Sequence, residues 1–224
     1  MKRFSFFVFV LASSLEIASF IFDWNEIHLI AKPLIVLGLI GHYYFQSTNR
    51  SFVFILALLF CWAGDVLLLF QGEMFFIAGL ISFLIGHVLY IVCYRQFQFA
   101  DKTKELLGPQ KVRFSLPIVL YGTGLVVILF PVLGDLKIPV MIYALVLTLM
   151  VLNALFRYGR TSMKSFLFIF LGAILFMASD SMLAINRFLQ PFAEAGVLVM
   201  ITYCAAQFLI VEGMLAHEKN SDNS

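Results

Sequence analysis

The sequence predicts an all-α, polytopic membrane protein with eight transmembrane helices, on three observations. Of its 224 residues, 62% are hydrophobic and only 12% charged, with a mean hydropathy of +0.99, whereas a soluble domain is nearer half apolar and a quarter charged. The apolar residues fall in runs of about 20, the length that crosses the hydrocarbon core as a helix. The runs neither alternate nor shorten as barrel strands would. The basic residues, finally, gather at alternate connections, the pattern of the positive-inside rule. A net charge of +2, with no basic patch interleaved with surface aromatics, sets nucleic acid aside as a partner.

In chain order, breaks at Pro, Gly and charged residues place the spans at residues 4–22, 26–46, 51–70, 74–95, 113–133, 138–156, 164–185 and 192–215. The first follows Lys2 and Arg3 in the manner of a signal peptide. Its apolar stretch is broken by Glu16 and lacks a small-residue exit, so it is read as a retained helix. The one long polar connection, 96–112 (QFQFADKTKELLGPQKV), ends in Gly-Pro shortly before the fifth span. Residues 1–216 thus form a single eight-helix domain, and 217–224 (HEKNSDNS) a polar tail read as disordered. With the N-terminus on side A, that side collects Lys2, Arg3, Arg50, Arg95, Lys102, Lys104, Lys111, Arg113, Arg157, Arg160, Lys164 and Lys219. Side B holds only Lys137 and Arg187, and Lys32 falls within a span. The expected topology therefore has both termini cytoplasmic, in the inner membrane if the source is bacterial.

Ionisable residues inside a bilayer are costly and default to function. Asp65, Asp180, Lys32 and Glu16 would all lie roughly 7–10 Å below the side-B boundary at about 1.5 Å per residue. Tyr203 and Gln207, four apart, share a helix face deeper in the membrane, as do His87 and Tyr90, three apart. Together they describe a funnel that narrows from charged to neutral polar groups. The two aspartates stand in similar surroundings, Ala-Gly-Asp-x-x-Leu at 63–68 and Ala-Ser-Asp-x-x-Leu at 178–183. The third and seventh spans run in the same direction and are expected to meet face to face, enclosing both carboxyls in one water-poor chamber. A four-plus-four duplication is left open.

Blander readings stand beside these. Each aspartate could bond a neighbouring helix, Lys32 could snorkel to the boundary, and Glu16 is read as a snorkelling or packing group. His87 could be a packing residue, and Tyr90 and Tyr203 interface anchors. Glu212, near side A, is read as solvated. Gly79, Gly86, Gly172 and Gly196 are expected to let helices approach closely. Cys61, Cys93 and Cys204 are single residues in apolar runs, read as buried free thiols with neither a disulfide nor a metal role. No nucleophile motif of the soluble hydrolases is present.

The motifs KPL at 32–34, AGDVLLL at 63–69, FLIGHVLY at 83–90, LFMASDSML at 175–183 and TYCAAQFLI at 202–210 together resemble the YhhN-like lysoplasmalogenase family. They occur in the family's order over the second to fourth and the seventh and eighth spans. Residues 96–160 match only in apolar character. The resemblance implies an integral-membrane hydrolase that cleaves the vinyl ether bond of a lysoplasmalogen to a fatty aldehyde and glycerophosphoethanolamine or glycerophosphocholine. The family's paired acidic residues fall on Asp65 and Asp180 as the catalytic groups. On this reading one aspartate protonates the enol ether carbon and the other stabilises the resulting cation. Lys32 receives the phosphate, and His87, Tyr90, Tyr203 and Gln207 shape the substrate-binding cavity. The partners are the lysophospholipid substrate and bilayer lipid, with no cofactor and no metal expected and the oligomeric state left open. The rival reading is a proton-coupled small transporter or lipid-binding membrane protein that uses the same carboxyls.

Overall fold

A backbone with no water to bond must close its hydrogen bonds within the segment, and each apolar run of this chain does so as an α-helix. The computed structural model describes residues 2–221. Its elements are α1 (Lys2–Phe22), α2 (Asn25–Gln46), α3 (Phe52–Leu67), α4 (Glu73–Gln96), α5 (Gly108–Leu129), α6 (Lys137–Leu155), α7 (Met163–Ala184) and α8 (Ala195–Ser221), with no strand among the described residues. Seven are long and apolar enough to cross a membrane. The eighth, α3, has 16 residues.

Three boundaries differ from the sequence reading, each for a local reason. Expected to reach residue 70, α3 stops at Leu67. There the chain tightens into turns, with Leu69 N–H on Val66 O at 3.2 Å and Phe70 N–H on Leu67 O at 3.2 Å. Gly72, at φ +122°, then redirects it into α4, a conformation that suits a residue without a Cβ. α5 begins at Gly108 rather than 113. Pro109 needs no N–H partner in a first helical turn, and the Gln110 side chain accepts the Leu107 N–H at 2.9 Å. α8 continues through Ser221, so residues 217–221 are helical rather than disordered, and 222–224 lie outside the described residues. Its polar end is held by burial: Thr161 Oγ1 and His217 Nδ1 are 2.7 Å apart, and Tyr43 donates to Glu218 Oε1 at 2.6 Å.

Helices pack most closely as the hairpins α1/α2, α3/α4 and α7/α8, with α8 also against α1 and α2 and α4 against α6. Gly172 makes the α7/α8 contact possible, since a Cβ there would stand 2.9 Å from the Ala206 carbonyl oxygen. α5 is the exception. Only Gly122 and Leu129 of its residues are buried, and α6 is its main neighbour. Large apolar side chains such as Phe4, Phe7, Phe52 and Met74 point outward, as they should where the solvent is lipid. The connections assigned to each side gather at opposite ends of the bundle. On side A, Phe99 N–H bonds Arg160 O at 2.7 Å and His42 meets Glu212. On side B, Lys32, the α3–α4 turn and Arg187 line one cleft.

Candidate active site

Asp65 lies near the end of α3 and is 2% exposed. Tyr203 of α8 donates its hydroxyl to Asp65 Oδ2 at 2.6 Å. One turn on, Gln207 donates its amide nitrogen to the Tyr203 oxygen at 3.2 Å and accepts from Tyr90 of α4 at 2.7 Å. The i, i+4 spacing of Tyr203 and Gln207 puts both on the face of α8 that meets α3 and α4. Four of the sequence-derived site residues therefore form one chain of donors, Tyr90 to Gln207 to Tyr203 to Asp65, ending on a carboxylate.

Asp180, near the end of α7, is half-buried and accepts from the Tyr143 hydroxyl of α6 at 2.5 Å. Tyr143 escapes the motif reading because it lies in the stretch with no family match. Its signal was depth: it stands close to the side-B start of α6, level with the acidic residues. His87 of α4 is fully buried, with neither ring nitrogen in a hydrogen bond among the described residues. Its ring meets Phe176 at 4.7 Å and Tyr143 at 5.4 Å, and Phe176 in turn meets Tyr203 at 5.4 Å. An unpartnered imidazole in such surroundings is neutral, because its charged form would be unsolvated.

The expected face-to-face contact of α3 and α7 is not among the close helix pairs. Each aspartate instead bonds a tyrosine of another helix, Asp65 that of α8 and Asp180 that of α6. Lys32 forms no ion pair with Asp65, though Asp65 lies in its field and in that of Glu16. Glu16 is fully buried and pairs with His28 Nδ1 at 2.8 Å, a partner the sequence did not flag. Glu212 is not simply solvated either, since it binds His42 Nε2 at 2.8 Å.

Asp180, Tyr143 and Ser181 form the polar part of the wall of a mostly apolar cavity, bordered by Leu80, Phe83, Leu125 and Leu129 among others. A second, polar cleft opens at the side-B end beside Lys32, Gln71, Asn186 and Arg187. The two share Leu68, Phe76 and Leu183 and so adjoin. The three cysteines are buried and free. Among the described residues no group of three or more His, Cys, Asp or Glu could hold a metal ion.

A model of the YhhN family matches residues 27–214, which include both aspartates with Tyr90, Tyr143, Tyr203 and Gln207 but not Glu16. Lysoplasmalogenase TMEM86B of Homo sapiens is 31% identical over 183 residues, covering 81% of this chain and 72% of that protein. A lysoplasmalogenase of Mycobacterium tuberculosis is 32% identical over 171 residues, covering 75% of this chain and 62% of that protein. Lysoplasmalogenase TMEM86A of Bos taurus is 29% identical over 174 residues, 73% of this chain and 64% of that protein. The chain thus spans less than two thirds of the last two relatives. No solved structure matches.

Proposed function

The chain belongs to the YhhN family, and from that premise we propose that it is a lysoplasmalogenase, a membrane hydrolase of the vinyl ether bond. The observation that carries the mechanism is the position of Asp180 in the wall of the apolar cavity, with Tyr143 on one oxygen and the other oxygen left for substrate. A carboxyl against an apolar wall keeps its proton, because the anion would lack solvent. We assign the ionised role to the other carboxyl, Asp65, which accepts the Tyr203 hydroxyl at the end of the chain of donors from Tyr90 and Gln207.

Asp180 gives its proton to the β-carbon of the C=C–O group, and the positive charge passes to the α-carbon and its oxygen. The negative charge of Asp65 stabilises that oxocarbenium ion through a medium of low dielectric. Water adds to the α-carbon and returns a proton to Asp180, giving a hemiacetal. The hemiacetal then breaks its C–O bond, its hydroxyl proton is passed to the glycerol oxygen, and fatty aldehyde and glycerophospho-alcohol leave. Asp180 ends as it began, acid first and base second. Lys32 receives the phosphate, Tyr90, Gln207 and Tyr203 hold the Asp65 carboxyl, and His87 packs behind the cavity wall against Tyr143 and Phe176, none of them taking or giving a proton.

Positive charge on side A supports cytoplasmic termini and a head-group cleft on the opposite face. Cysteines introduced near Asp23 and Asp135 should then be labelled from outside. The decisive assay incubates detergent-purified protein with a lysoplasmalogen and, separately, its saturated ether analogue, scoring aldehyde by mass. Cleavage of the vinyl ether alone is expected. Cleavage of neither rejects the function, and equal cleavage of both rejects attack on the double bond.

A further inference from the structure

The polar cleft beside the catalytic cavity holds a second cation that the mechanism above does not use. Arg187 lies in the π-helical turn Ile185–Leu189 that follows α7, and such widened turns occur mostly where a site must be built. Its guanidinium carbon stands 4.7 Å from the centre of the Phe76 ring. Phe76 is 9% exposed and also borders the apolar cavity. That stacking holds the guanidinium plane by cation–π attraction without using its N–H donors. Lys32 lines the same cleft. Among the described residues no carboxylate lies within 4.0 Å of either cation, and neither makes a hydrogen bond inside the protein. No acidic residue lines the cleft, whose other polar side chains are Gln71 and Asn186.

Two cations lining one space, neither in an ion pair and with no acidic residue in that lining among the described residues, describe a site for an anionic ligand. We propose that Arg187 and Lys32 form a two-armed clamp for the phosphate of the glycerolipid substrate, which makes the enzyme selective for phosphorylated over phosphate-free alkenylglycerols. The inference rests on the function proposed above and adds its substrate class. Arginine offers a planar fork to two phosphate oxygens and lysine a point charge to a third. The sn-1 chain then passes Leu68, Phe76 and Leu183 into the cavity where Asp180 waits. With no carboxylate to read an ammonium group, the cleft recognises the phosphate and is indifferent to what esterifies it. Ethanolamine, choline and the bare phosphate monoester are therefore all accepted.

The test compares kcat/KM for 1-alkenyl-glycerophosphoethanolamine and for 1-alkenylglycerol, in wild type, Arg187→Ala, Arg187→Lys and Lys32→Gln. Wild type should prefer the phospholipid by about a hundredfold, two charge-assisted contacts at roughly tenfold each. Arg187→Ala should raise KM for the phospholipid about tenfold with kcat retained, shrinking the preference by the same factor. Arg187→Lys should restore part of it, and Lys32→Gln should repeat the loss. Equal use of both substrates by wild type overturns the clamp while leaving the hydrolase intact. So does an Arg187→Ala defect that falls alike on both substrates, as it would if the arginine bound bilayer lipid or served the fold. If wild type cleaves neither substrate, the proposed function fails and takes the clamp with it.

Discussion

At the side-A end of the bundle buried polar side chains tie one helix to another, whereas the side-B end keeps, beside the closed pair of Glu16 and His28, two cations and a carboxyl that line open spaces. Arg157 is fully buried and donates to Tyr94 O at 3.2 Å, Phe97 O at 2.5 Å and Ser165 Oγ at 3.0 Å. Ser165 passes its own hydroxyl to Gly213 O at 2.7 Å. Burial pulls the Arg157 pKa down to about 10, still well above neutrality, so the residue is a charged tie between α6, α7 and the loop after α4. Thr161 with His217 and Tyr43 with Glu218 fasten the end of α8 in the same way. On side B, by contrast, Lys32 and Arg187 line a cleft with no hydrogen bond among the described residues, and Asp180, held by Tyr143, lines the apolar cavity. The residue types are similar at the two ends. What separates a structural polar group from a chemical one is whether its hydrogen-bonding capacity is already filled.

The sharpest way to break this contrast is at the two carboxyls proposed as catalytic. Asp180→Asn should lower turnover about 10²- to 10⁴-fold, the usual worth of a positioned acid. Asp65→Asn should fall within the same range, and thermal unfolding in detergent should shift little for either. An Asp180→Asn enzyme with near-normal aldehyde release removes that residue from the reaction. Arg157→Ala should do the reverse. It leaves two carbonyls and a hydroxyl short of a donor at a cost of about 3 kcal/mol, seen as a lower unfolding midpoint. The surviving folded fraction should keep its specific activity. Tyr143→Phe removes only the donor on Asp180 and should cost about tenfold in kcat, with KM for the phospholipid unchanged. A fall in midpoint without a fall in kcat would move Tyr143 to the structural class.

The smallest effect concerns a surface group on side A. Asp101 accepts the Thr103 N–H at 2.8 Å and its hydroxyl at 2.9 Å, and these bonds hold its carboxyl below the usual carboxylate range. A depressed folded pKa contributes order that is present above the ordinary carboxylate value and lost as pH falls through the lowered one. Thr103→Val should move the Asp101 titration upward, followed by the NMR shift of its carboxyl carbon, without changing turnover at neutral pH.

Much of this was legible in the sequence, because in lipid the rules are few. Eight spans followed from run length and the alternation of Lys and Arg. Asp65, Tyr203, Gln207 and Tyr90 followed from polar residues at helical spacing within apolar runs, and the structure joins them in one hydrogen-bonded chain. Tyr143 and Arg157 were harder for a physical reason. A tyrosine in an apolar helix reads alike whether it anchors at the interface or serves an acceptor on another helix. An arginine at a helix end reads alike whether it is solvated or folded inward. His28 and Glu218 found partners 12 and 175 residues away, and no local pattern encodes such a pairing. The early start of α5 was misread because Gly108-Pro109 serves equally to end a loop or to open a helix.

α5 contributes Leu125, Val126 and Leu129 to the catalytic cavity, yet it leans on little besides α6. Most of its circumference is left to acyl chains, so one wall of the reaction vessel is backed by the surrounding amphiphile. The micelle or bilayer thereby becomes a component of the enzyme. Rates taken in detergent and in liposomes of different stiffness should differ through the tightness of that wall, even where the chain and its substrate are unchanged.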